Sequence, residues 1–509
     1  MKKYFVLLLA IIAVTIIFQV DVFAMEDVEA DVESSYLISY ATVALEYIVS
    51  FLASILFFQV FGFPLLVLWL VAGGLFFTIK LGFINIRLFL HAVDVIRGKY
   101  SSGDEPGEVS HFQALVAAVS ATVGLGNIAG VAIAVSLGGP GAVIWMVIAG
   151  FFGMSTKFAE VTLGQKYRRI DEKGNVSGGA FHYLKDGLAE MNMPVLGKVL
   201  AVIFAIFCIG GSLGGGNLFQ ANQTVSILTN TFDTLNSLDW VISVFLAVSV
   251  GIVLIGGIKR IAIVAEGVVP LMAFIYVGAS IIVLIANADK IPAAFGIMFT
   301  DAFSGSAVGG GIIGAIIAGF KRAAFSNEAG LGSAPIAHAA ARTNEPVREG
   351  CVALLEPFLD TMVICFMSGI VITVTGVYAD NPEGKISGVM LTSNAFATVI
   401  DWFPVVLSVA VALFAYSTMI TWSYYGAKAW EYLFGSTRIE IFHFIFCSMT
   451  FFGGVIDDIG LVVDFSDLLI LSMAIPNLIG LYCMSGMIKA ELEKYMTKLK
   501  AGEFKRYDS

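Results

Sequence analysis

The stretch Ser120-Ala-Thr-Val-Gly-Leu-Gly-Asn-Ile-Ala-Gly-Val131 decides how this chain folds. It lies inside a long apolar run, yet it carries Ser120, Thr122, three glycines and Asn127. Glycine is a poor residue for a helix interior, and an amide surrounded by hydrocarbon needs hydrogen-bond partners. A helix that breaks here leaves carbonyls and N–H groups free at mid-membrane depth. Such backbone is tolerated only where it is enclosed by protein or lines a cavity. The stretch therefore predicts an unwound helix centre lining a solute and ion site. Close helix–helix packing through small residues is the structural alternative for the glycines.

Composition agrees with a membrane setting. Hydrophobic residues make up 58% of 509 and charged residues 13%, with a mean hydropathy of +0.88. The class is an all-α polytopic membrane protein in a lipid bilayer. A sequence pI near 5.1 argues against nucleic acid as a partner. The five cysteines, Cys208, Cys351, Cys365, Cys447 and Cys483, lie in or beside apolar spans without metal or redox spacing. At the start, Lys2 and Lys3 precede an apolar run to Val20, and Val22-Phe-Ala24 suits a leader cleavage site. A signal peptide over 1–24 is expected, with an uncleaved first helix as the alternative. The segment 25–61 then reads as external, acidic at first, with an interfacial helix near 40–58.

Eleven spans of helical length follow, near 62–85, 111–137, 139–163, 196–228, 239–257, 260–287, 305–341, 351–377, 401–431, 438–456 and 459–488. The connections alternate in charge. Arg87, Arg97 and Lys99 lie in one, Lys166, Arg168, Arg169, Lys173, Lys185 and Lys198 in another. Lys259/Arg260, Arg342/Arg348, Lys428/Arg438 and the tail 489–509 continue the series. The intervening connections hold almost no Lys or Arg, so the basic set is expected in the cytoplasm. The mature N-terminus is then external and the C-terminus cytoplasmic, as in a bacterial-type inner membrane. The long connection 164–195 reads as a short amphipathic segment. One membrane domain, 62–488, accounts for the rest.

An internal echo supports a two-fold design. Asn127-Ile-Ala-Gly130 recurs as Asn327-Glu-Ala-Gly330. The first opens a five-span block, about 111–287, and the second opens another, about 305–488, running the opposite way through the membrane. Glycine-interrupted helices at matching places in two inverted halves point to a transporter's midplane site.

Several motifs resemble the alanine or glycine:cation symporter family. They are Gly126-Asn-Ile-Ala-Gly-Val-Ala132, Gly138-Gly-Pro-Gly141, Lys157-Phe-Ala-Glu160, Phe320-Lys-Arg-Ala-Ala-Phe-Ser-Asn-Glu-Ala-Gly-Leu-Gly-Ser-Ala-Pro335 and Ser417-Thr-Met-Ile-Thr-Trp-Ser-Tyr-Tyr-Gly426. The resemblance covers about 60–490; the leader and the acidic segment lie outside it. It implies a LeuT-like five-plus-five inverted repeat preceded by one extra helix, here 62–85. It also implies sodium- or proton-coupled uptake of alanine or glycine.

A small zwitterion needs donors for its carboxylate and oxygens for its ammonium. N–H groups of Gly124, Leu125, Gly126 and Asn127 at an exposed helix N-terminus suit the carboxylate, with Thr122 beside them. Phe325, Ser326 and Asn327 supply the facing break, Phe325 closing over a methyl group. Glu328 next to them needs a partner, and Lys321 and Arg322 are nearest in sequence. Asn217, Gln220 and Gln223 are three apart and form one helical stripe. Gln220, in a family-like context, is the chosen substrate contact. The resemblance further implies sodium between the carbonyls of Ser120 and Val123 and the hydroxyls of Ser417 and Thr418, with Trp422 as a pocket wall. Back-bonding to their own helix is the ordinary alternative for those hydroxyls. Lys157 and Glu160, three apart, are expected to pair. The five histidines are scattered, and no catalytic triad, metal-protease motif or Walker loop is apparent. No cofactor beyond co-transported sodium and no obligatory protein partner is expected. Proton coupling through Glu328, or a channel or receptor, is the competing function.

Overall fold

The computed structural model describes residues 50, 53–54, 58–60, 62–254, 257–303, 311–379 and 388–507. The expected leader and most of the expected interfacial helix lie outside the described residues.

Among those residues eight helices are long and apolar enough to cross a membrane. Two further apolar helices have 16 residues each, α1 (Leu65–Lys80) and α8 (Asp239–Leu254). The remaining expected span, 305–341, is interrupted. It consists of α11 (Gly311–Asn327), an irregular stretch and the short α12 (Ala334–His338). The connection 378–400 contains α15 (Val389–Ala397). The connection 164–195 folds as a small hairpin, Arg169–Ile170 with Val176–Ser177, and the helix α5 (Ala180–Glu190).

Burial ranks the spans. The apolar window of His111–Gly138 is 100% buried, against 33% for Arg260–Ala286. The first is therefore a central element and the second a lipid-facing one. The central element is two helices, α2 (His111–Thr122) and α3 (Leu125–Gly138). Ser110 starts α2 with a capping box, its hydroxyl accepting from the Gln113 N–H while Gln113 caps the Ser110 N–H.

Around this pair pack α4 (Gly141–Lys166), the long element Pro194–Thr231, α9 (Gly257–Ala286), the element Pro346–Thr375 and α16 (Phe403–Phe434). With α16 at 32 residues and ~1.5 Å per residue, it is ~48 Å long, more than a ~30 Å core spans upright. α17 (Ile439–Val455), α18 (Ile459–Ser472), α19 (Ala474–Cys483) and the terminal α20 (Ser485–Ala501) complete the chain.

Two spans widen into π-helix, at Gly214–Leu218 and Phe358–Cys365. Such widening rotates every later side chain relative to an α-helical register and is frequent at functional sites. It separates the expected stripe. Asn217 donates to the Phe446 carbonyl at 2.7 Å, whereas Gln220 and Gln223 face other elements.

Candidate functional site

The first break lies at Val123 and Gly124. Val123 is extended (ψ 92°), and the chain resumes helix at Leu125. Asn127 holds this turn: its Oδ1 accepts the Gly124 N–H at 2.8 Å. The Leu125 N–H lies 3.4 Å from Gln220 Oε1, and Gln220 Nε2 donates to the Gly215 carbonyl at 2.9 Å. Gln220 therefore ties the first break to the Gly214–Leu218 π-turn. Three of the four N–H groups expected for a carboxylate, those of Gly124, Leu125 and Asn127, already have acceptors within the protein. Thr122 turns its hydroxyl back toward the Ala118 and Val119 carbonyls, at 3.4 and 3.3 Å.

The second break follows Asn327. Glu328 adopts a left-handed backbone (φ 58°), which costs a non-glycine residue ~1–2 kcal/mol. Gly330 (φ 92°) and Gly332 (φ 80°) take the same region without that cost. Asn327 Oδ1 accepts the Ala329 N–H at 2.9 Å, and Pro335 helps start α12. Glu328 receives the Ser333 hydroxyl. The expected partners go elsewhere, because Lys321 and Arg322 both pair with buried Asp467 on α18.

The two breaks meet. A Cβ on Gly126 would lie 3.2 Å from Ser326 Cα, so the absence of a side chain there permits the approach. Between them stands Asp360, on the Phe358–Cys365 π-segment and fully buried. Its Oδ1 accepts from Asn127 Nδ2 at 2.6 Å. Its Oδ2 accepts from Ser326 Oγ at 2.8 Å and Thr361 Oγ1 at 2.7 Å. Asn327 Nδ2 reaches Thr361 Oγ1 at 2.9 Å, so both asparagines of the sequence echo converge on this segment.

The aromatic side is closed by Phe325 and Trp422. Phe325 stands edge-on to Phe219 at 5.3 Å, with Gly215 beneath its ring. Trp422 covers Gly216 so closely that a Cβ there would lie 2.3 Å from the indole.

On α16, Thr418 Oγ1 donates to the Ser120 carbonyl at 3.0 Å, and Ser120 Oγ donates to the Ser417 carbonyl at 3.0 Å. Thr421 Oγ1 is 3.1 Å from Ser120 Oγ. The Ser417 hydroxyl instead bonds its own helix at Phe414, 2.9 Å away. Of the four residues expected at sodium, Ser120 touches both Thr418 and the Ser417 carbonyl, and Val123 is buried in the first break. A cavity of about 710 Å³ lies at the Lys/Arg-poor connections 229–238 and 457–458, with Gln223 among its lining residues.

The sodium:alanine symporter family matches residues 42–509 of this sequence. The chain belongs to that family. Sodium/alanine symporter AgcS of Methanococcus maripaludis is 41% identical over 434 residues, 85% of this chain and 94% of the relative. A probable sodium/glutamine symporter, GlnT of Bacillus subtilis, is 33% identical over 442 residues, 86% and 89% respectively. Among solved structures, MhsT in complex with L-phenylalanine aligns over 75% of this chain and 89% of its own, at 16% identity and a TM-score of 0.48.

In this member of the sodium:alanine symporter family, two expectations need correction beyond Glu328. Lys157 does not pair with Glu160; its Nζ lies 2.9 Å from Glu356 Oε1. Glu160 accepts from Asn477 Nδ2 and the Gly332 N–H, bracing the second break. The histidines are not all scattered, because Glu349 contacts both His111 and His338. Sequence reasoning gave no role at the site to Asp360, Thr361 or Cys365. Asp360 sits in a span of ordinary hydropathy, and its one signal was an acidic residue inside that span.

Proposed function

We propose that this sodium:alanine family member is a secondary active symporter that imports small neutral amino acids, alanine and/or glycine, coupled to sodium. The observation that carries the reading is the contact of Thr418 Oγ1 with the Ser120 carbonyl at the first break. A hard cation takes hydroxyl and carbonyl oxygens, and this pair needs only a hydroxyl rotation to offer two of them. In the proposal sodium is held by the Ser120 and Val123 carbonyls with the Ser417 and Thr418 hydroxyls. The substrate lies beside Thr122, Gly124, Gly126, Asn127, Gln220, Phe325, Ser326, Asn327 and Trp422. Ion and substrate then share one element, 120–127, so each stabilises the other's site.

Asp360 joins the two breaks and communicates between them. The blocks 111–287 and 305–488 act as inverted halves after one extra helix, with the N-terminus external and the C-terminus cytoplasmic. Sodium entering down a roughly tenfold gradient and ~100 mV releases about 3.7 kcal/mol, enough for a several-hundred-fold solute gradient.

Proteoliposome uptake tests this. Labelled alanine or glycine should accumulate with an imposed sodium gradient and undergo counterflow that requires sodium. Accumulation driven by a pH gradient in sodium-free buffer would make Glu328 coupling the better reading. Flux linear in substrate, with no saturation, would indicate a channel.

A further inference from the structure

A second set of buried polar groups lies away from the proposed substrate and sodium contacts. It runs His111–Glu349–His338–Glu356–Lys157, and every side chain in it is at most 1% exposed. Glu349 Oε2 meets His111 Nδ1, and Glu349 Oε1 meets His338 Nδ1 at 2.6 Å. With Glu349 ionised, it can only accept, so both imidazoles carry a proton on Nδ1. The open positions are then the two Nε2 atoms.

His338 Nε2 lies 3.6 Å from Glu356 Oε2, and neither atom has a hydrogen-bond partner. Without a proton these are two acceptors facing each other in a buried site. With one, they are a charge-assisted donor and acceptor slightly beyond bonding distance. Charge counting gives the same preference. Glu349 and Glu356 outnumber Lys157 by one, so neutral imidazoles leave a net buried negative charge, and one added proton cancels it. His111 Nε2 has no carboxylate within ion-pair distance among the described residues, so a proton there gains no such partner.

We propose that His338, Glu349 and Glu356 form a proton-binding clamp: a proton taken up from solvent at His338 Nε2 closes the gap to Glu356. The clamp ties α12, which follows the second break, to the element Pro346–Thr375, in which Glu356 is one helical turn before Asp360. Other groups set its balance. Lys157 and Glu160 face it from α4, His111 from α2, and Glu328 from the second break. Tyr425 on α16 lies near Glu356 and Glu328 and has an unpartnered hydroxyl. Arg168 holds the carbonyls of Ala339 and Ala341, at 2.8 and 2.5 Å, and fixes the end of α12.

The protonated clamp favours the folded arrangement, so its stabilisation is present at low pH and lost as pH rises. The test follows thermal unfolding of the purified full-length protein in detergent from about pH 5 to about pH 9. The difference in Tm between wild type and His338→Gln should narrow steadily with rising pH. Glu356→Gln provides a second variant, because its amide can donate to an unprotonated Nε2. That variant should be less stable throughout, since Lys157 loses its partner, but with a flatter pH dependence than wild type. A wild-type minus His338→Gln difference that is constant with pH overturns the clamp, as does an undiminished slope in Glu356→Gln.

This readout needs no transport, so it stands or falls separately from the symporter reading. Resting on that reading, sodium-driven uptake without a pH gradient should vary severalfold over the same range in wild type. In His338→Gln it should vary less than about twofold, because the titrating position is gone. An equal variation in both proteins overturns the clamp's control of transport.

Discussion

The side-chain amide of Asn127 donates to Asp360 Oδ1 across 2.6 Å, joining the first helix break to a π-helical segment 233 residues away. Ser326 donates to the other oxygen of the same carboxylate, so one buried acceptor links both breaks. Substituting Asp360→Asn keeps the volume but turns one of its oxygens into a donor facing another donor. An unsatisfied buried polar pair costs ~1–3 kcal/mol, about 5- to 150-fold in an equilibrium. Uptake at subsaturating alanine should therefore fall at least about fivefold. Asp360→Ala should also lower Tm by several degrees, because it removes a buried carboxylate acceptor shared by three donors. Wild-type uptake in folded Asp360→Asn would show that the carboxylate is dispensable.

The two hydroxyls proposed at sodium should separate on substitution. Thr418 Oγ1 already meets the Ser120 carbonyl, whereas Ser417 Oγ is engaged with Phe414 on its own helix. Thr418→Val, which keeps the shape, should raise the half-saturating sodium concentration about tenfold, equivalent to ~1.4 kcal/mol. Ser417→Ala should change it less than about threefold, the expectation for a back-bonded hydroxyl. The measurement is initial alanine uptake against sodium at fixed substrate. Equal effects of both substitutions would remove the distinction drawn from these contacts.

Sequence reasoning located both breaks because their cause is local. Glycines and small polar residues interrupt an apolar run, and that signal needs no knowledge of neighbours. The family was legible for a similar reason, since Phe320 to Pro335 is a long contiguous motif matched in a known group. Partners of buried charges were not legible. An i, i+3 rule suits an exposed helix, where only neighbours on the same face compete. Lys157 is buried, and Glu356, 199 positions away, packs onto it in place of Glu160. The π-segments hid the rest: an α-helical wheel puts Asn217 and Gln220 on one face, and the widened turn at Gly214–Leu218 sends them to different helices.

Gly216 offers a steric test of the aromatic wall. A methyl group there would sit 2.3 Å from Trp422 Cγ and 2.4 Å from its Cβ, atoms close to the backbone that cannot swing aside. Overpacking of this kind costs ~1–3 kcal/mol. Gly216→Ala should lower Tm by a few degrees and reduce alanine uptake more than it reduces stability, since Trp422 would move toward the proposed substrate space. Gly216→Ala combined with Trp422→Ala should recover part of the Tm loss expected from adding the two single losses, because the indole Cγ that the new methyl meets is gone. No recovery in the pair would mean that the loss arises elsewhere.

His182, on the connection outside the membrane spans, predicts an acid limb of stability with a sign opposite to that of the His338 clamp. Its Nε2 is 2.9 Å from Ser177 Oγ. Burial pushes its imidazole down to about 4, and the nearby Arg169 guanidinium acts in the same direction. The unfolded chain takes up this proton at a pH near 6.5, so protonation favours unfolding. The neutral side chain's contribution is therefore intact above about pH 6.5 and declines as pH falls toward 4, by on the order of 3 kcal/mol in total. His182→Gln keeps a hydrogen-bonding group opposite Ser177 but cannot titrate. Between about pH 7 and about pH 4.5 its Tm should fall less than that of wild type. His91, also held down to about 4 by burial, should leave a residual acid limb in the variant. Superimposable Tm curves for wild type and His182→Gln over that interval would assign the acid limb to other groups.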